Sequence, residues 1–334
     1  MKVSELGEFG LIDLLAGMVS RSRKTQSASW RQLIVGIGDD AAAWQGNTSI
    51  QLATIDTLVQ DIHFTLNTTS WSELGWKSLA VNLSDIAAMG GVPGYALVSL
   101  ALPGHTEVED VAAFYEGMID LAQRFEVAIV GGDTSRAPLV SITITVLGSA
   151  RNKHILTRSS AKPGDKIAVT GAIGGAAGGL DMLMNQLSFD PEATSYLREV
   201  FLRPLPRLAE GQLLIERGVE TAIDISDGLI SDLPHICKAS RVGARVEIDR
   251  LPIHPIVKDN FGDRALGLAL SGGEDYELLF TAGVEVIDKV KGAASCPVTV
   301  VGDIVADEKG EVRLVDINGK PFNLRKAGWE HFRV

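Results

Sequence analysis

Apolar residues Phe9, Ile12, Leu15 and Val19 recur at helical spacing through 8–20 and predict an amphipathic helix. A polar Ser/Arg/Gln stretch over 20–32 predicts a loop. Short apolar runs at 33–37 and 49–55 predict strands, and 71–89 predicts a long helix stopped by Gly90-Gly91 and Pro93. Next come a strand at 95–102, a helix at 107–125, a buried strand at 127–131 and a β-branched strand at 139–149. A polar, Pro/Gly-containing stretch from Arg151 to Asp165 predicts an inter-domain connection. Beyond it the pattern predicts strands at 166–170, 221–225, 244–249, 276–281 and 297–301, with helices near 207–217 and 228–240. Strands interleaved with helices predict an α+β chain with mixed sheets, in two domains, 1–150 and 151–334.

The 334 residues carry 31 basic and 42 acidic side chains, a net charge of −11. Such a balance argues against sequence-independent binding to nucleic acid or to an anionic membrane. A phosphate-rich ligand would need another source of positive charge, and a metal held by carboxylates supplies one. Cys237 and Cys296 stand far apart, outside any CxxC pattern, so a reducing cytoplasm is expected. No apolar run reaches 18 residues, and the acidic start Met1–Glu8 has no apolar core after it, so neither a membrane span nor a secretory leader is expected.

The candidate chemistry lies in Asp residues beside Gly or small polar residues. Asp39-Asp40, Asp56, Asp133, Asp224 and Asp227 fall at expected strand ends, and Asn82 and Asp85 share one face of the 71–89 helix among apolar neighbours. Half-buried carboxylates repel one another unless a cation sits among them. Asp without His or Cys favours a hard ion such as Mg²⁺. A turn or capping role is the better account of any one of these Asp residues alone, but not of their recurrence at so many strand ends. The glycines between 171 and 179 either bare N–H groups to a phosphate or allow close helix packing. His63 is either structural or a ligand contact, and Arg158 either pairs with a phosphate or is solvated. GxxxxGK[ST], GxGxxG, GxSxG and HExxH are all absent.

Taken in order, Gly36–Ala42, Asp56–Val59, His63-Phe64, Lys77–Gly90, Gly131–Thr134, Leu156–Arg158, Ala222–Leu229, Leu270–Leu278 and Gly328–Phe332 resemble the thiamine-monophosphate kinase family. The resemblance implies the two-domain fold of the aminoimidazole-ribonucleotide-synthetase superfamily, with paired N-terminal domains in a homodimer. It implies transfer of the ATP γ-phosphoryl group to thiamine monophosphate, with several Mg²⁺ ions. By position it implies that Asp40, Asp56, Asp85, Asp133, Asp224 and Asp227 are metal ligands. Gly132, Asp133, Arg158 and Ser226 become nucleotide contacts; His63, Glu274 and Trp329 become thiamine-phosphate contacts. Where many members carry Ser-Thr, this chain has Thr54-Ile55. Thr54 still offers a metal a hydroxyl, whereas Ile55 offers only its backbone carbonyl. Trp329 is also explained as a tail anchor. Relatives that use a reactive Cys near the N-terminus or at the C-terminus are disfavoured: no Cys precedes residue 237, and the chain ends in Val334. Aminoimidazole-ribonucleotide synthetase and a non-catalytic nucleotide sensor are the remaining alternatives.

Overall fold

The computed structural model describes residues 33–35, 39–45, 50–151, 154–307 and 309–322. The expected helix at 8–20, the loop at 20–32, Gly36–Gly38 and the Trp329 tail lie outside these residues.

The first sheet is built from β1 (Leu33–Val35), β2 (Ala42–Gln45), β3 (Ile50–Val59), β4 (Val92–Leu102), β5 (Ala128–Arg136) and β6 (Ser141–Ser149). Their order is β1-β2-β3-β6-β4-β5. Every neighbouring pair is antiparallel except β4 and β5. Helices α1 (Trp71–Ala88) and α2 (Val108–Arg124) contribute to the same core as one face of this sheet. The alternation along β6, with Ile142, Ile144 and Val146 buried, points that face inward. The other face leaves Ile55, Tyr95 and Leu97 exposed.

The second sheet contains β7 (Lys166–Thr170), β8 (Thr221–Asp224), β9 (Gly243–Glu247), β10 (Leu278–Ala282), β11 (Val298–Val305) and β12 (Val312–Val315), in the order β12-β9-β11-β7-β10-β8. Around it lie α3 (Gly175–Met184), α4 (Pro191–Leu202), α5 (Leu208–Glu216), α6 (Leu229–Ser240), α7 (Pro255–Phe261), α8 (Ala265–Ser271) and α9 (Val284–Lys291). One hydrophobic cluster runs from Leu79 and Leu83 of α1 to Ala222, Leu278 and Phe280 of the second sheet, so the two halves share a core.

α1 occupies the centre. Ser70 caps it reciprocally with Glu73, and Met89 closes it before Gly90, whose φ of 67 favours glycine. The helix is buried almost all round, and Lys77, Asn82 and Ser84 are buried with it. Two expectations change here. β5 is an exposed edge strand rather than a buried one. Asp56 and Asp133 also lie within β3 and β5 rather than at their ends.

Candidate active site

Four carboxylates converge where α1 meets both sheets. Ligand atoms of Asp40, Asp85 and Asp224 lie within 4.8 Å of one another. Asp56 comes within hydrogen-bond reach of Asp85. Asp40 sits in the turn between β1 and β2, Asp56 on the inward-facing row of β3, Asp85 in the last turn of α1, and Asp224 at the end of β8. Thr54, two residues before Asp56 on the same strand face, donates its hydroxyl to Asp85. Ser84 donates to Asp224 Oδ2 at 2.6 Å. Asn82, one turn before Asp85, is fully buried; its Nδ2 donates to the Ser78 carbonyl and its Oδ1 has no partner among the described residues.

The charges are costly as they stand. Burial, and then the charges of Asp56, Asp224 and Asp40, push the Asp85 carboxyl well above the usual range. Asp224 is raised in the same way, by burial and then by Asp40. Asp56 is pushed up to about 6, chiefly by burial, and so is Asp39. Arg158 gives partial compensation. Its Nη2 donates to Asp40 Oδ1 at 2.5 Å, and its backbone N–H to Asp39 Oδ2 at 3.1 Å. One guanidinium among so many carboxylates leaves an excess of negative charge. An all-oxygen donor set of this kind fits a hard divalent cation.

The cluster opens, through Asp56, on a cleft of about 2140 Å³ between the two halves. His63, Ser226, Asp227 and Glu274 also line it. His63 Nδ1 accepts from the Val59 N–H at 3.0 Å, which leaves the neutral ring's proton on Nε2. The 226–228 turn is fixed from behind by Asp232, whose Oδ2 accepts the N–H groups of Ser226, Asp227 and Gly228 at 3.0–3.1 Å. Glu274 stands at φ 67, a left-handed conformation, and its N–H donates to the Ser226 carbonyl at 2.7 Å. A Cβ on Gly273 would lie 2.4 Å from that same carbonyl, so only glycine lets the two loops approach so closely.

Two sequence expectations part company with a single chain. Gly132 and Asp133 do not join the cluster. In register, Thr57, Thr143, Ser99 and Asp133 form one row across β3, β6, β4 and β5. Asp133 is therefore three strand spacings from β3, roughly 14 Å. Its row lies on the uncovered face, where Thr57 and Thr143 share a hydrogen bond of 2.8 Å. Ile55 points to the same face and is 62% exposed. The glycines of 171–179 serve packing: Asp275 takes the N–H groups of Gly174 and Ala176, and a Cβ on Gly179 would lie 2.2 Å from the Leu197 carbonyl. Trp329 lies outside the described residues.

Three supporting residues receive no role from the sequence: Lys77 and Asp275, which lie inside quoted motifs, and Asp232. The signal for Lys77 was present, as one cation inside the apolar run from Leu74 to Leu83. Asp232 and Asp275 are distinguished by the backbone N–H groups they accept, which the sequence does not show.

The model of the AIR synthase related protein N-terminal domain matches residues 38–150, and that of the C-terminal domain matches 162–315. Thiamine-monophosphate kinase of Escherichia coli strain K12 is 41% identical over 332 residues, covering 98% of each chain. The Bacillus subtilis enzyme of the same name is 38% identical, covering 90% of this chain and 94% of its own. The chain belongs to the thiamine-monophosphate kinase family. The solved structure of AaThiL complexed with AMPPCP and TMP superimposes with a TM-score of 0.85 at 30% identity, covering 99% of both chains. Within the family's two-domain α+β fold, the acidic cluster sits at the junction of the two matched segments.

Proposed function

We propose that the chain transfers the γ-phosphoryl group of ATP to thiamine monophosphate, giving thiamine diphosphate and ADP. One observation carries the reading: a single cleft joins the acidic cluster, at Asp56, to Asp227, His63 and Glu274. The family relationship names the substrates, and the relative with AMPPCP and TMP bound both an ATP analogue and the acceptor.

Asp40, Asp56, Asp85, Asp224 and Asp227, with the Thr54 hydroxyl, would hold Mg²⁺. Bound there, Mg²⁺ supplies positive charge to the phosphoryl oxygens. Arg158 offers its guanidinium to a nucleotide phosphate, with Asp40 keeping it in place meanwhile. Asp232 holds the 226–228 turn in the shape that presents Ser226 to the nucleotide. His63 Nε2–H and the Glu274 carboxylate face the acceptor; for Trp329, outside the described residues, only the family resemblance supports an acceptor contact. The acceptor phosphate is already an anionic nucleophile, so direct in-line transfer needs no general base and no phosphoenzyme.

Gly132 and Asp133 act from a second copy of the chain. They stand on the edge strand of an uncovered sheet face that carries Ile55, Tyr95 and Leu97, a face suited to a homodimer. Cys237 and Cys296 are free thiols, in keeping with a reducing cytoplasm.

The test is purified protein with ATP, Mg²⁺ and thiamine monophosphate, followed by chromatography. Thiamine diphosphate and ADP should form in equal amounts, and γ-labelled ATP without acceptor should leave the protein unlabelled. ATP consumption without thiamine diphosphate would refute the reading.

A further inference from the structure

Lys77 is the one basic side chain of α1 and is 2% exposed. A buried ammonium is costly unless it is paired, and burial of an unpaired one would be strongly destabilising. Its Nζ lies 2.9 Å from Glu274 Oε1 and 3.7 Å from the centroid of the Phe201 ring. Glu274 and Phe201 both line the cleft, whereas Lys77 stands behind them. The Glu274 side chain is 26% exposed, so its carboxylate has one side on the ammonium and the other toward the cleft. The backbone beneath it is held in the left-handed region by the Ser226 contact. The fixed backbone sets where the side chain starts, and Lys77 sets where the carboxylate ends.

We propose that Lys77 is a positioning residue for acceptor recognition. It holds the Glu274 carboxylate, through one charged hydrogen bond, in the orientation that meets the aminopyrimidine and thiazolium of the acceptor. Phe201 supports the ammonium from its other side and keeps it from turning away. The proposal rests on Glu274 being an acceptor contact. It adds that the acceptor's affinity is set from a residue that never touches it. A lysine suits this place better than an arginine, because a compact ammonium fits between one carboxylate oxygen and one ring face.

The test is steady-state kinetics on Lys77→Met, Lys77→Arg, Glu274→Gln and the two double variants that combine each Lys77 change with Glu274→Gln, each with a thermal melt. Losing one charged hydrogen bond at the acceptor side should raise the KM for thiamine monophosphate roughly tenfold in Lys77→Met. The KM for ATP should hold and kcat should change little, since the contact is present before and during transfer. Lys77→Arg should recover part of the loss. In the Glu274→Gln background, Lys77→Met should add almost nothing, because both changes remove the same contact. If Lys77→Met does not fold, the partial rise in acceptor KM of Lys77→Arg, and its disappearance in the Glu274→Gln background, carry the same test. A normal acceptor KM in the Lys77 variants beside a raised one in Glu274→Gln would overturn the proposal and leave Glu274 in the site. Additive effects would also overturn it. An unchanged acceptor KM in Glu274→Gln would remove Glu274 from the site, and this role for Lys77 with it.

Discussion

At the scale of the residue, the acidic cluster opposes folding and serves chemistry. Asp39 and Asp56 are pushed up to about 6, and Asp85 and Asp224 well above the usual carboxylate range. The folded chain therefore binds more protons than the unfolded chain between the ordinary Asp range and these raised values. Stability must fall as pH rises through that window, with the cost complete above the folded values. A divalent cation competes with those protons, so its stabilisation should grow with pH. In scanning calorimetry with chelator, the melting temperature should drop between about pH 5 and about pH 7.5, and added Mg²⁺ should restore it mainly at the higher pH. An equal Mg²⁺ shift at both values would contradict the assignment. Asp85→Asn separates the two roles. It removes one crowded charge, so the melt in chelator should hold or rise, while turnover falls on the order of 10²–10³-fold. Near-normal turnover at saturating Mg²⁺ would remove Asp85 from the machinery.

At the scale of the element, α1 positions the site by how closely it is packed. A Cβ on Gly75 would lie 1.8 Å from the Phe114 carbonyl oxygen of α2, and one on Gly117 would lie 1.9 Å from the Ser72 carbonyl. The two glycines let the helix backbones meet. Alanine is the better helix former by about 1 kcal/mol, but overpacking against backbone costs roughly 1–3 kcal/mol, and a backbone atom cannot swing aside. Gly75→Ala should therefore lower the melting temperature by several degrees, against the helix-propensity ranking; an unchanged or raised melt would show that α2 yields. These elements also show what a sequence reveals. The β-branched strand at 139–149 was legible because one buried face imposes a regular apolar period, and the 71–89 helix because a long, largely apolar run ends at Gly90-Gly91 and Pro93. The 127–131 run is equally apolar, yet it became an exposed edge strand. An apolar run says that a surface must be covered, not whether the same chain covers it. Asp40, Asp56, Asp85 and Asp224 were legible as a set because acids recurring beside small residues, one of them on an apolar helix face, call for a cation. Lys77 and Asp232 were not, since their roles are contacts to residues far along the chain or to backbone N–H groups.

At the scale of the whole molecule, the proposed role of Asp133 is a prediction about assembly. Within one chain it stands roughly 14 Å from β3, across the strands of β6 and β4, and on the face away from Asp85. A second copy packed on the uncovered face, with its β5 lying across β3, would bring its own Asp133 onto the Ile55 side of that strand, between Thr54 and Asp56, as a closed two-fold pair allows. Each site would then take Asp85 from one chain and Asp133 from the other. Asp85→Asn and Asp133→Asn should each be nearly inactive alone. In a heterodimer of the two, one site receives both mutant residues and the other receives neither. Random re-association makes half of the dimers mixed, so activity should return to about a quarter of wild type. If both residues served the same chain's site, every site would carry one lesion and mixing would restore nothing. The measurement is to unfold the two variants together, refold them, and compare turnover with each variant refolded alone. Sedimentation run alongside should show a dimer, and Ile55→Asp, a charge on its exposed face, should split it while lowering turnover in step. A fully active monomer would place Asp133 outside the site.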